Sequence, residues 1–400
     1  MCTLAAVLFP MRTVAQSPPG FDQAWQEIQE FYRSRLEDEG IVGSSLWFLH
    51  GGRTLAREFY GMADLAEQRP VNETTIYHWA SITKTFTGIA IMQLRDRGQL
   101  SLDDPVVHYL PELRKVHNPF GSMEAITIRH LLSHSAGFRG PTWPWGGDEP
   151  WHPHEPTTWQ QLVAMIPYTQ VLFEPGSRYS YSNPGIVFLG RIIEELTGDD
   201  YEVYVDKNIL KPLGMYGAYF DHTPYHLLPH RSNNYYVTGG ELTTNGLDFD
   251  TGITVSNGGL NAAIPDMVKY LAFLTGDPRR QHAYDAILPR SSLREMWQPV
   301  VDLPLDTTGT EGREPLRESM GLTFFILQHG DLQLIGHTGG QKAFVSFIYL
   351  DQTSGAAAIA AFNTLGISPE GRPKPDTRSV LSDLRQRLFS NVFPLFRERG

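Results

Sequence analysis

The segment SITKTFTGIAIMQLRDRG, residues 81–98, constrains the chain more than any other stretch. Ile82, Phe86, Ile89, Met92 and Leu94 recur along it, and Ala90 and Ile91 fill most of the remaining face. An apolar pattern this wide predicts a helix buried in the middle of a domain. Gly98 ends it, and Arg95 and Arg97 stand in the last turn, where cations suit the helix dipole. Ser81 then lies at the helix start, where backbone N–H groups lack partners. Lys84 follows about one turn later on the same side. A serine at a helix start is ordinarily an N-cap. A lysine at a buried helix start needs a further reason. Burial lowers the pKa of an amine, and a neutral amine can take the proton of a serine and turn it into a nucleophile. Ser-x-x-Lys also arises by chance in chains of this length, so the pair needs support from elsewhere.

A chain of 400 residues with 41% hydrophobic content can bury a large core. Its formal net charge of −11 argues against nucleic acid and against anionic membrane surfaces as partners. Cys2 is the single cysteine, which excludes an intramolecular disulfide and any multi-cysteine metal site. No apolar run reaches the ~20 residues of a spanning helix. Residues 1–20 hold a short apolar run followed by Thr13-Val14-Ala15-Gln16, which resembles the end of a secretory signal without its positively charged start. Export to the periplasm or the medium is the expectation.

Residues 21–38 place Phe21, Trp25, Ile28, Phe31 and Leu36 among charges and read as an amphipathic helix. Ser44–His50 and Arg53–Tyr60 read as strands joined by the turn Gly51-Gly52. Helices are expected at 126–133, 159–167, 185–196, 201–210 and 265–274. Residues 138–158 mix Gly, Pro and Trp, with Trp143, Trp145, Trp151 and Trp159 close together, as a long loop lining a binding site would. Residues 221–259 read mostly as loop. From 319 the period changes to strands at 320–328, 332–336, 343–350 and 356–362, and 376–393 closes the chain as a helix. Strands and a helix at each end, with helices between, imply an α/β sheet domain built from residues 21–84 and 315–400. Residues 85–314 form a mostly helical insertion carrying the loops of the site.

Three short motifs stand in order: Ser81-x-x-Lys84, Tyr181-Ser182-Asn183 and His337-Thr338-Gly339-Gly340. Supporting stretches are His130-Leu131-Leu132-Ser133-His134-Ser135-Ala136-Gly137, Phe173-Glu174-Pro175-Gly176 and Ser256-Asn257-Gly258-Gly259-Leu260. Together they resemble the serine β-lactamase and penicillin-binding-protein superfamily, on the branch of class C β-lactamases, D,D-peptidases and β-lactamase-like esterases. The resemblance spans about residues 21–365. It implies an antiparallel sheet flanked by N- and C-terminal helices, with a large helical insertion. It also implies a serine hydrolase that cleaves an ester, amide or peptide through an acyl-enzyme on Ser81, with Lys84 as base or electrostatic partner. Tyr181 would shuttle protons, its phenol pKa lowered by cationic neighbours. Asn183 would bond Lys84 or a substrate carbonyl. The Ser81 and Gly340 N–H groups would form the oxyanion hole. Which of Lys84 and Tyr181 is the base stays open. A penicillin-recognising peptidase or β-lactamase, and a silent binding protein on the same scaffold, are the competing readings.

One residue departs from the β-lactamase pattern, whose third motif commonly starts with lysine. Here it starts with His337, as in many esterase-like and peptidase-like members. At its reference pKa of about 6.5 a histidine is largely neutral near pH 7 and titrates between about pH 6 and 8. It would hold an anion less tightly than lysine does. No cofactor is implied. His152 and His154 lack an evident third ligand, so no metal is expected either. Chelation with EDTA is therefore expected to leave hydrolysis unchanged. Inhibition that added zinc reverses would overturn this reading.

Overall fold

The computed structural model describes residues 17–140, 156–244, 246, 250–304, 316–368 and 374–397. Thr13–Gln16 and Trp143, Trp145, Trp151, His152 and His154 lie outside the described residues. Among those described, nine strands form one sheet. They are β1 (Gly43–His50), β2 (Arg53–Asp64), β3 (Arg69–Pro70), β4 (Val301–Asp302), β5 (Arg317–Met320), β6 (Phe325–His329), β7 (Leu332–Gln341), β8 (Phe344–Asp351) and β9 (Ala356–Phe362). Their spatial order is β3-β2-β1-β9-β8-β7-β6-β5-β4, and neighbours pair antiparallel. The two ends of the chain meet at β1 and β9, which run in register from Ser44 opposite Phe362 to His50 opposite Ala356. Gly51 and Gly52, with φ of +57° and +71°, make the expected hairpin turn between β1 and β2. The sheet is thus antiparallel and mixed with helices, as the sequence implied.

Both faces of its centre are buried, so the central strands are apolar at nearly every position. Leu46 and Phe48 of β1 face the two end helices, α1 (Phe21–Glu39) and a C-terminal helix beginning at Thr377, while Trp47 and Leu49 face the helical middle. The alternation is the strand period of two. Phe48 lies at the centre of the outer layer, with its ring centroid 5.7 Å from Phe21, 6.2 Å from Trp25, 5.3 Å from Phe393 and 5.2 Å from Phe396. Rings from both ends of the chain therefore close over one strand.

On the inner face lies α2 (Thr83–Asp96), buried along Thr83–Leu94, as the wide apolar pattern required. A second three-stranded sheet joins it to the rest. Ile76–His78, just before Ser81, pairs with Leu260–Ala263, which also pairs with Tyr219–Phe220. The Leu260 N–H donates to Thr83 Oγ1 at 3.1 Å, and the Trp79 N–H to the Leu260 carbonyl at 2.9 Å. These bonds staple the turn bearing Ser81 to the segment 255–263.

Two expected strands are drawn differently. The single strand expected at 320–328 is two, β5 and β6, because the chain turns at 321–324. The backbone donors of that turn are taken by the helical side: Leu322 N–H by the Met296 carbonyl and Thr323 N–H by the Leu132 carbonyl, each at 2.8 Å. The strand expected at 332–336 runs on to Gln341, so the motif 337–340 lies inside β7. The turn falls instead at Lys342 and Ala343, both with positive φ of +50° and +63°. Neither residue is a usual turn former at such angles, so nothing in the sequence marked the break. The stretch 221–259 also carries short elements, Tyr235–Thr238, Glu241–Thr243 and the helix Val255–Gly258.

Phe48→Ala should cost about 3–5 kcal/mol of stability, the usual range for deleting a buried ring. It should leave kcat per folded molecule unchanged, since Phe48 lies across the sheet from Ser81. Denaturant unfolding with activity measured on the folded fraction checks both. A kcat loss at full folding would mean that the outer layer shapes the site.

Candidate active site

Ser81 sits in a 3₁₀ turn, Ala80–Ile82, that leads into α2. Ala80 takes φ of +49°, a left-handed conformation rare for residues other than glycine, asparagine or aspartate. The strain places Ser81 half-exposed at the edge of a buried turn. Lys84, one turn later, is fully buried. Its Nζ donates to Ser81 Oγ at 3.0 Å and to the Asn257 carbonyl at 2.8 Å, and it lies 5.0 Å from the centre of the Tyr181 ring. Both acceptors are neutral oxygens. Burial holds the amine well below the usual lysine range, which shifts it toward the uncharged form.

Tyr181 arrives on the loop that precedes α3 (Asn183–Thr197). Its phenol is pushed well above the ordinary tyrosine range by burial, with the Ser81 hydroxyl drawing it part of the way back. The expected lowering by cations does not occur, because burial outweighs it. Ser81, Lys84 and Tyr181 are therefore brought together as predicted, but with the lysine shifted toward a free base and the phenol held as an acid.

Asn183 does not bond Lys84. It is the first residue of α3, its N–H donates to the Gly140 carbonyl at 3.2 Å, and its Oδ1 is buried without a partner. The carbonyl of Asn257 takes the place expected for it. That residue stands in α4 (Val255–Gly258), and any side chain would supply the same carbonyl, so sequence carried no signal for the contact.

His337 is buried on β7 beside Phe325, with ring centroids 4.9 Å apart, and its ring centroid is 6.3 Å from that of Tyr181. Its Nδ1 lies 2.5 Å from the Thr338 carbonyl, so Nδ1 carries the proton and Nε2 is left as a buried acceptor without a partner. Burial, and then the charge of Lys84, push its pKa down to about 3. This corrects the expected titration between pH 6 and 8: the imidazole is neutral throughout that range. Gly340 is exposed two positions beyond Thr338. Gly339 beside it packs so closely on the Ser81 turn that a Cβ there would sit 2.2 Å from the Trp79 carbonyl. Glycine is required for that approach.

One residue that the sequence reading gave no role also reaches the site. His134 stacks on Tyr181, with centroids 4.4 Å apart and planes at 29°. Its position in His130–Gly137 was legible; its contact with a residue 47 positions later was not. Among the described residues no three His, Cys, Asp or Glu side chains gather as a metal site would need, and no helix is long and apolar enough to cross a membrane.

A layered antiparallel α/β fold in which Ser81 and Tyr181 close over a buried Lys84 is the build of a serine acyl-transfer enzyme. The comparisons define it further. Residues 28–381 match the family described as Beta-lactamase, and the chain belongs to that family of serine hydrolases. Protein flp of Staphylococcus aureus (strain COL) is 26% identical over 341 residues, 85% of this chain and 63% of that protein. The chain thus spans under two thirds of the length of the curated relatives it matches. Penicillin-binding protein 4* of Bacillus subtilis (strain 168) is 30% identical over 192 residues, 48% of this chain and 40% of that protein. The octameric penicillin-binding protein homologue from Pyrococcus abyssi superposes with a TM-score of 0.72 at 28% identity, over 86% of this chain and 74% of its own. A class C beta-lactamase shares the fold at a TM-score of 0.72 and 17% identity, over 93% and 97% of the two chains.

The depressed pKa of His337 carries a sign. Between about 6.5 and its folded value the unfolded chain binds a proton that the folded chain refuses, so stability falls as pH drops through that window. The slope is at most roughly 1.4 kcal/mol per pH unit for one such group. His337→Asn removes the group, and its Tm should fall less between pH 7 and 5 than that of wild type. Equal falls would return His337 to the ordinary histidine range.

Proposed function

We propose that the protein hydrolyses a small ester, amide or peptide through an acyl-enzyme on Ser81. The observation that carries this reading is Lys84 Nζ at 3.0 Å from Ser81 Oγ, buried and bonded only to neutral oxygens. A neutral amine at that distance can accept the serine proton as Oγ attacks the carbonyl carbon. Tyr181, held as a neutral phenol, then gives its proton to the leaving oxygen or nitrogen and is refilled from Lys84. Water attacks the acyl group along the reverse relay and releases the acid. The N–H groups of Ser81 and Gly340 are assigned the developing oxyanion; the packing of Gly339 on the Trp79 carbonyl supports this by placing β7 against the Ser81 turn.

The buried neutral His337 supports uncharged substrates, since a carboxylate would find no cation at that position. A specific observation favours a second reading, a penicillin- or peptide-recognising enzyme. Arg378, exposed in the first turn of the C-terminal helix, lies 3.9 Å from where a Cβ on Gly340 would stand. A substrate carboxylate running along β7 would meet that guanidinium.

Ser81→Ala should abolish turnover while leaving the fold intact, and mass spectrometry with a slow substrate should place the acyl group on the peptide holding Ser81. Acylation elsewhere, or full activity in the variant, would sink the mechanism. Wild type should turn over p-nitrophenyl butyrate with a higher kcat/KM than nitrocefin, and His337→Lys should shift the ratio toward nitrocefin. Nitrocefin hydrolysis at or above the esterase efficiency, lost in Arg378→Ala, would establish the second reading instead.

A further inference from the structure

The mechanism gives the buried His134 no part, yet that residue touches three consecutive residues around the phenol. The His134 carbonyl accepts the Ser180 N–H at 2.8 Å, and His134 Nδ1 accepts the Ser182 N–H at 3.1 Å. Between those two grips its ring covers the Tyr181 ring. The need for such grips is local. Ser182 is the N-cap of α3, its own hydroxyl accepting the Gly185 N–H at 3.2 Å, so its backbone N–H lies outside the helix and must find an acceptor elsewhere. His134 supplies it. With Nδ1 accepting, the ring proton must be on Nε2. An imidazolium would set N–H against N–H. Burial, then Lys84 and His337, keep the ring well below the ordinary histidine pKa and so neutral.

The backbone of His134 is held at φ of +54°, a left-handed angle that a histidine keeps only when its surroundings enforce it. The conformation lets one residue present its carbonyl to Ser180 and its side chain to Ser182 at once. We propose that His134 is the positioning residue of Tyr181: it clamps the backbone on both sides and covers one face of the ring, and so fixes the phenol hydroxyl against Ser81. It forms and breaks no bond in the reaction. The assignment rests on the reading of Tyr181 as the proton-transfer group.

The test uses two variants that separate the contacts, each alone and combined with Tyr181→Phe. His134→Asn keeps an acceptor near the Nδ1 position and tolerates the left-handed backbone. His134→Phe keeps a ring and loses the acceptor. With p-nitrophenyl butyrate, His134→Phe should lower kcat by about 10–100-fold at near-constant KM, the scale of a small misplacement of a reacting group. His134→Asn should restore most of the loss. In the Tyr181→Phe background His134→Phe should change kcat little further, since the group it positions is already gone. If His134→Phe does not fold, His134→Ala serves in its place. The proposal is overturned if His134→Phe lowers Tm but keeps kcat per folded molecule, if His134→Asn is as impaired as His134→Phe, or if the losses multiply fully with Tyr181→Phe. Fluorophosphonate labelling of Ser81 on the same samples reports the underlying reading separately: absent labelling in wild type overturns that reading, whatever the His134 variants do.

Discussion

The site depends on an amine buried without a carboxylate. A charged lysine in that position would need a counter-ion to offset its desolvation, and Lys84 has a hydroxyl and a carbonyl instead. The fold resolves the conflict by favouring the neutral form. That choice propagates outward. A neutral amine is a base where a charged one is only a field, and burial by itself keeps the neighbouring phenol protonated. Two imidazoles in range of Lys84 are driven to the neutral state as well, by burial and then by any charge it carries. Burial thus shifts amine, phenol and both imidazoles toward their uncharged forms, and Lys84 meets no carboxylate among the described residues.

Holding the amine in place requires three separate pieces of chain. The helix α2 carries it, the turn 80–82 offers Ser81, and α4 offers the Asn257 carbonyl. The small sheet of Ile76–His78 with Leu260–Ala263 ties the second piece to the third. The large sheet contributes from the other side, where β7 leans a glycine on the Trp79 carbonyl. Phe48 and its aromatic neighbours, on the opposite face, lock the two ends of the chain to the central strands. The catalytic turn is therefore gripped between a rigid sheet and a helical layer, and the strain at Ala80 is retained because both sides enforce it.

Much of this was legible because it is local. The width of the apolar pattern in 81–98 fixes a buried helix, the Gly51-Gly52 pair fixes a hairpin, and the short apolar run 356–362 reads as a strand. What was not legible is tertiary. The break after Gln341 falls on Lys342 and Ala343, which carry no turn chemistry, so nothing in the sequence shows that the strand expected at 332–336 runs on through the third motif. The partner of Lys84 is a backbone carbonyl, which every residue owns. The sign of the Tyr181 shift turned on burial, whereas sequence offered only a count of nearby cations. His134 stood inside a motif already noticed, but its stacking on Tyr181 is a contact between segments that the chain order keeps apart.

The histidine of the third motif changes more than charge. A lysine there presents three N–H donors and a positive charge, and suits a substrate that offers an anion. His337 spends its one N–H on the Thr338 carbonyl, which fixes the tautomer and leaves Nε2 as a lone pair in the interior. The hydrogen-bonding sense of the position is therefore inverted: an acceptor stands where the lysine-bearing relatives place a donor. Burial makes the inversion permanent, since protonation would require a pH near 3. Two consequences follow from the same atom. The position attracts N–H and O–H groups rather than carboxylates, and on the second reading proposed above the task of meeting an anion would pass to Arg378 at the rim, which is exposed and screened by solvent. On that reading, selection between neutral and anionic substrates would rest on a solvated charge rather than a buried one, and its strength would fall with ionic strength.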